Sequence, residues 1–287
     1  MKIVDPHVHF YDMEHPDLVY GHWQPGVPHP SLGWQIQQLA ERNYLAEDYI
    51  EETKKIGVSK TVHVQAAIGS PNPVIETRWL QEAADRTGFP NGIIAYADLR
   101  DPKIETVLLE HLEYPNMRGV RDFSYDDYLE NSDFERGFSL LGKYELLSCM
   151  GVSWPEFDKL IRLAKKYPKN QIIMDHTGLP ERRDVEYFKE WSYAIQKIGQ
   201  VENIHCKISG LGMSDHDWTV DSIRPYVLHC IESFGVDRSF FASNWPVDWL
   251  WSSFENLITA YRSIVNKCSL LDQEKLFSKN AEILHRI

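Results

Sequence analysis

Three observations predict a (β/α)8 barrel. Eight short β-rich runs are spread over almost the whole chain, longer segments of helical period separate them, and no glycine-rich phosphate loop follows the first run. Alternation of this kind is how βα units build a parallel sheet, and eight pairs suffice to close it. The rival, an open doubly wound sheet, would carry that loop in its dinucleotide-binding form. The 287 residues exceed the usual single-domain length, but barrels commonly run this long as one unit, so one domain over 1–287 is expected.

The first run is Ile3–Phe10, where strand alternation puts Asp5, His7 and His9 on one face and Val4, Val8 and Phe10 on the other. Two imidazoles converging at the C-terminal end of a first strand can hold a divalent metal or bind a substrate oxyanion, although two incidental strand histidines would look the same. Asp12–Tyr44 follows, rich in Pro, His, Trp and Gly and with little periodicity. Such a long insertion in a first βα unit is expected to be an active-site loop. In the second run, Thr61–Ala67, His63 and Gln65 share a face opposite Val62 and Val64, which would give the interior two neutral hydrogen-bonding groups. The third run is Gly92–Leu99. The fourth, Met117–Phe123, turns Gly119 and Arg121 away from Val120. A guanidinium there suits a substrate carboxylate, or a salt bridge to Asp122 or Asp98.

The fifth run is Tyr144–Met150, and the sixth, Gln171–Thr177, buries Ile172 and Ile173 and leaves His176 at the catalytic rim. In the seventh, Asn203–Gly210, Ile204, Cys206 and Ile208 suit the helix side, so His205, Lys207 and Ser209 point inward. A buried Lys207 ammonium needs an acidic partner or an anionic substrate. The eighth run, Ser239–Pro246, ends in Ser243-Asn244-Trp245-Pro246, followed by Asp248, Trp249 and Trp251. These indoles suit either plain core or the apolar face of a sugar or aromatic ring. Helices are expected at Glu76–Thr87, Phe157–Lys166, Val185–Ile198 and Phe254–Asn266, and a terminal helix over Asp272–Ile287 capped by Asp272.

Composition narrows the function. A hydrophobic fraction of 43% and a charged fraction of 25% are those of a globular protein. The net charge of −12, with no basic stripe to offset it, argues against nucleic acid. The first ten residues hold charges in a strand-like pattern, and no apolar run approaches ~18 residues, so no membrane association and a cytoplasmic location are expected. Cys149, Cys206, Cys230 and Cys268 lie far apart without a CxxC pair and read as reduced packing residues.

Five segments, DPHVHF, MRGVRDF, MDHTGLP, CKISGLG and FFASNWPVD, with KNAEIL near the terminus, occur in this order over residues 5–284. Together they resemble the amidohydrolase-2 branch of the amidohydrolase superfamily, especially its lactonases for sugar acids and for 2-pyrone-4,6-dicarboxylate. The resemblance implies a barrel hydrolase in which first-strand histidines, a sixth-strand histidine and an eighth-strand carboxylate surround a carbonyl and a water. One departure stands out: Asn244 occupies the position where the family's hydrolases usually have an acidic residue. An amide cannot take a proton from water and is a poor zinc ligand. The binuclear members also use a fourth-strand lysine and a fifth-strand histidine, which neither run supplies, and this argues against a two-metal site. The resemblance leaves two options: one divalent ion, zinc before others, on His7, His9 and His176, or no metal at all.

The expected reaction is hydrolysis of an anionic or polyhydroxylated lactone, an activated ester that positioning and charge stabilisation can open. Arg121 and Lys207 hold carboxylate or hydroxyls, and Gln65, His63 and Trp245 complete the binding surface. His7, His9 and His176 polarise the carbonyl, Asp248 or His176 serves as base, and Asn244 orients the water. Two other classes stay open: metal-dependent decarboxylation of an aromatic or unsaturated acid, and a binding protein or impaired relative, suggested by the missing carboxylate. The partner is expected to be a small molecule, with a homo-oligomer left open.

Overall fold

A computed structural model, describing residues 1–29, 32–122 and 128–287, joins eight parallel strands in sequence order into one sheet. They are β1 (Ile3–Val8), β2 (Val58–Val64), β3 (Gly92–Ala95), β4 (Met117–Arg121), β5 (Leu147–Met150), β6 (Ile172–Met174), β7 (Ile204–Ile208) and β8 (Ser239–Phe241). The helices comprise α1 (Gln37–Ala40), α2 (Ala46–Thr53), α3 (Val74–Thr87), α4 (Ile104–His111), α5 (Ser132–Lys143), α6 (Phe157–Lys166), α7 (Val185–Ile198), α8 (Val220–Phe234), α9 (Phe254–Ile264), α10 (Leu270–Glu274) and α11 (Asn280–His285). The (β/α)8 barrel expected from the sequence is therefore observed. Most predicted strands overshoot at their C-terminal ends, because apolar–polar alternation continues past the last ladder bond into the segments that carry the site. Phe123, the last residue of the fourth predicted strand, lies outside the described residues. Among the described residues no helix is long and apolar enough to cross a membrane.

The seam between β8 and β1 closes by a different device from the other seven. A single parallel bridge joins Val8 to Trp245, and the His9 N–H donates to the Trp245 carbonyl at 2.7 Å. Lower down, the Asp5 carboxylate takes the place of a ladder, accepting from the Ser243 N–H at 2.9 Å, the Ser243 hydroxyl at 2.6 Å and the Tyr49 hydroxyl of α2 at 2.8 Å. This corrects the face expected for Asp5. Pro6 has no N–H to give a ladder, the register slips between Asp5 and Val8, and Val4 turns into the barrel while Asp5 turns out.

A second correction concerns β2, where Val62 and Val64 face inward and His63 outward. Both faces of a barrel strand are buried, so alternation identifies two faces without telling which is inner. Val4, Val62, Val64, Ile94, Leu147, Cys149, Ile173 and Phe240 form the interior layer, and Ala281 of α11 packs into it. The terminal helix thus plugs the N-terminal end of the barrel. Its run starts at α10, capped by Ser269 rather than Asp272: the Ser269 hydroxyl accepts from the Asp272 N–H at 3.1 Å and donates to the Asp272 carboxylate at 2.8 Å.

Candidate active site

The C-terminal ends of the strands converge on a buried ionic cluster. Asp175, just after β6, is fully buried, with Oδ1 2.9 Å from Lys207 Nζ on β7 and Oδ2 2.9 Å from Arg121 Nε on β4. Burial by itself would raise the Asp175 pKa, but the two cations overcome it and hold the carboxyl well below the usual range. Lys207 thereby finds the acidic partner its burial demanded. Arg121 reaches a carboxylate two strands away, while Asp98, one of the partners that the sequence suggested, pairs with Arg100.

Hydrogen-bond partners assign the histidine tautomers. His9 Nδ1 lies 2.8 Å from the Val64 carbonyl, which only accepts, so Nδ1 carries the hydrogen and Nε2 the lone pair. His7 Nε2, 3.1 Å from that lone pair, is the donor, which leaves His7 Nδ1 to accept from Lys207 Nζ at 3.2 Å. The chain Lys207, His7, His9, Val64 is satisfied with both rings neutral. Burial, with Lys207 adding to it at His7 and Arg121 at His9, holds both imidazoles well below their ordinary pKa.

His176 stands on a left-handed turn, with φ of 54° at His176, 54° at Thr177, 69° at Gly178 and 51° at Leu179. Each such non-glycine residue costs about 1–3 kcal/mol and persists only where the surroundings over-determine it. Here the Trp191 indole of α7 donates to the Thr177 carbonyl at 3.0 Å, and Gly178 packs so closely on Phe157 that a Cβ would lie 2.5 Å from its ring. His176 Nδ1 meets the Ser209 hydroxyl at 3.0 Å, and burial, against the pull of Asp175, brings its pKa down to about 3. Asn244, beyond β8, is also left-handed at φ 59°, and its amide donates to Asp248 at 2.7 Å. Burial pushes the Asp248 carboxyl up to about 7.

Above the cluster lies a cavity of about 180 Å³, walled by His9, Gln65, Arg121, His176 and Asn244. The long first loop covers it, with His22, Trp23, His29 and Leu32 facing in. That loop is tied at its ends by paired Tyr11 and Tyr44 backbones at 2.8 and 2.9 Å. The Gln37 side chain holds its middle, accepting from the Gly26 N–H and donating to the Gln24 and Val27 carbonyls.

The structure therefore divides the residues singled out in the sequence. Five wall the cavity, while His7 and Lys207 lie below it and Asp248 lies behind Asn244. Two face elsewhere. His63 Nδ1 accepts the Phe10 N–H at 3.0 Å and its Nε2 lies 3.4 Å from Glu76 of α3, whose carboxylate also accepts the Ala66 and Ala67 N–H groups at 2.9 and 2.8 Å. Trp245 is fully buried, its indole donating to Glu52 of α2 at 3.0 Å and its ring packing edge-on against Phe254 of α9. Sequence reasoning left out Asp175, although the demand of Lys207 for a carboxylate on a neighbouring strand was a signal for it. It also left out His22 and His29, which sit in an aperiodic loop with no signal of their own.

Among the described residues, His7, Asp175 and His176 have ligand atoms within 4.8 Å of one another, but Asp175 is already paired with Lys207 and Arg121 and both ring nitrogens of His7 are engaged, so the set does not fit a divalent ion as it stands. Two of the three residues match the expected set, with Asp175 in place of His9.

A family model described as an amidohydrolase matches residues 4–287. An uncharacterised Sinorhizobium fredii protein, y4mH, is 37% identical over 299 residues, covering 100% of this chain and 99% of the relative. An L-fucono-1,5-lactonase of Burkholderia ambifaria is 27% identical over 263 residues, covering 88% of this chain and 82% of the lactonase. A zinc-bound amidohydrolase of Burkholderia multivorans, 20% identical, superposes with a TM-score of 0.85 over 100% of both chains, and so shares the fold.

Proposed function

We propose, from the premise that the chain belongs to the amidohydrolase family and is a hydrolase, that it opens a carboxylated or sugar-acid lactone by water attack on the ring carbonyl. One observation carries this reading. Among the described residues that wall the cavity, Arg121 is the charged one, the histidines are held neutral, and no carboxylate is present. Such a wall favours an anionic ligand, and the lactonase named among the relatives acts on a sugar-acid lactone.

Arg121 binds the substrate's carboxylate or hydroxyls while Asp175 holds its Nε side in place. Lys207 acts from below, fixing Asp175 and the His7 tautomer without touching substrate. Asn244 orients the water through its amide oxygen, since its nitrogen is committed to Asp248. Asp248 is therefore a positioning group for Asn244 rather than a base in contact with water. His176 accepts the water's proton at Nε2, with Nδ1 anchored on Ser209.

Acid release from a panel of aldonolactones, with and without chelator, tests the reading. Turnover should appear in the wild type and fall by about 10²–10⁴-fold in His176→Ala, with the melting temperature little changed. An active His176→Ala enzyme would remove His176 from the mechanism. Carbon dioxide release from an unsaturated acid, with no lactone opened, would favour decarboxylation instead.

A further inference from the structure

We propose that Lys207 is a built-in cation that keeps the His7, Asp175 and His176 cluster from taking up a divalent metal, so that the positive charge below the cavity comes from the chain itself. The proposal holds whatever substrate the site opens. An ion can reach His7 through either ring nitrogen, and Lys207 opposes both routes.

The first route places the ion between Asp175 Oδ1 and His7 Nδ1. Those two atoms already lie 2.9 and 3.2 Å from Lys207 Nζ, so the ammonium stands where the ion would bind. The second route uses His7 Nε2 and His9 Nε2, which lie 3.1 Å apart. Metal binding there needs a lone pair on both atoms, so His7 would have to carry its hydrogen on Nδ1. That hydrogen would point at an ammonium, a group with donors and no lone pair to accept it.

Charge leads to the same conclusion. Asp175 is one carboxylate against Lys207 and Arg121, all three buried. These three groups together carry one net positive charge, and a divalent ion would add two more. With a neutral residue at position 207, Asp175 keeps Arg121, the cluster becomes neutral, and His7 Nδ1, 3.8 Å from Asp175 Oδ1, can donate to that carboxylate. A carboxylate behind a ligating imidazole is the arrangement that orients metal ligands.

Zinc titration calorimetry and bound-metal content on the whole protein test this, comparing wild type with Lys207→Met and Lys207→Gln. The neutral variants should bind one zinc per chain at least about a hundredfold more tightly than wild type, since a unit charge a few ångströms from the ion is removed. The gain should vanish when His7→Ala is added. Equal affinity in wild type and variants overturns the proposal, as does zinc binding that survives His7→Ala. If neither variant folds, the wild type decides alone: stoichiometric zinc uptake at micromolar protein that is abolished by His7→Ala overturns it, and no such uptake supports it.

Discussion

The two ends of this barrel are built on different terms. At the N-terminal end, Val62, Ile94, Leu147, Ile173 and Phe240 meet Ala281 of α11, and the interior is apolar. At the C-terminal end β1, β4, β6 and β7 deliver Arg121, Asp175, Lys207 and three neutral imidazoles, also buried. Left-handed non-glycine backbone gathers there too, at His176, Thr177, Leu179 and Asn244. The apolar end gains stability from burial. The polar end is held together by ion pairs and hydrogen bonds: two cations share one carboxylate, and each ring nitrogen of His7 and His9 has a partner. The contrast predicts that one lost partner at the top costs more than one lost methyl group at the bottom.

Asp175→Asn should have the largest effect, because it leaves Lys207 and Arg121 buried without their anion. A loss of about 3–5 kcal/mol is expected in the unfolding free energy measured by urea titration. Trp191→Phe comes next. It leaves the Thr177 carbonyl without its indole partner, should cost about 1–3 kcal/mol, and should lower kcat more than it raises KM as the His176 turn relaxes. At the other end, Ile173→Val should cost only about 0.5–1.5 kcal/mol and leave kcat/KM unchanged. If Ile173→Val altered activity while Trp191→Phe did not, the division of labour between the ends would be wrong.

Much of this division is legible in the sequence. The alternation of runs reveals the barrel, and side-chain parity places Lys207, Ser209 and Arg121 inside. Parity fails where its assumptions fail. Pro6 breaks the β1 register, and β2 is buried on both faces, so Asp5 and His63 fall on the side opposite to that expected. Trp245 packs behind the barrel wall because β8 ends at Phe241 and the chain then turns through Asn244. That Asp175 is the hub of the cluster depends on β4, β6 and β7 meeting around it, a relation between strands that no single segment records.

The smallest effect in any one step is the response to pH. Burial holds His111 and His205 down to about 4 and His285 to about 3, so the folded protein leaves them neutral while the unfolded chain protonates them near 6.5. The unfolded state then binds more protons, and stability should fall as pH drops from about 6.5 towards 4. Asp248 works in the opposite sense. Raised from 3.8 to about 7, it keeps its proton in the folded state where the unfolded chain has lost it, so its contribution falls as pH rises through that window. Asp248→Asn should therefore steepen the overall rise of stability between pH 4 and 7. An unchanged slope would mean that Asp248 titrates normally.

The most direct measurement of the central claim is mass spectrometry of the product when a sugar-acid lactone is turned over in water enriched in a heavy oxygen isotope. Attack on the ring carbonyl predicts one heavy oxygen in the carboxylate of the hydroxy acid, formed by wild type and not by His176→Ala. A product labelled at the hydroxyl instead, or no hydroxy acid from any lactone offered, would contradict the account.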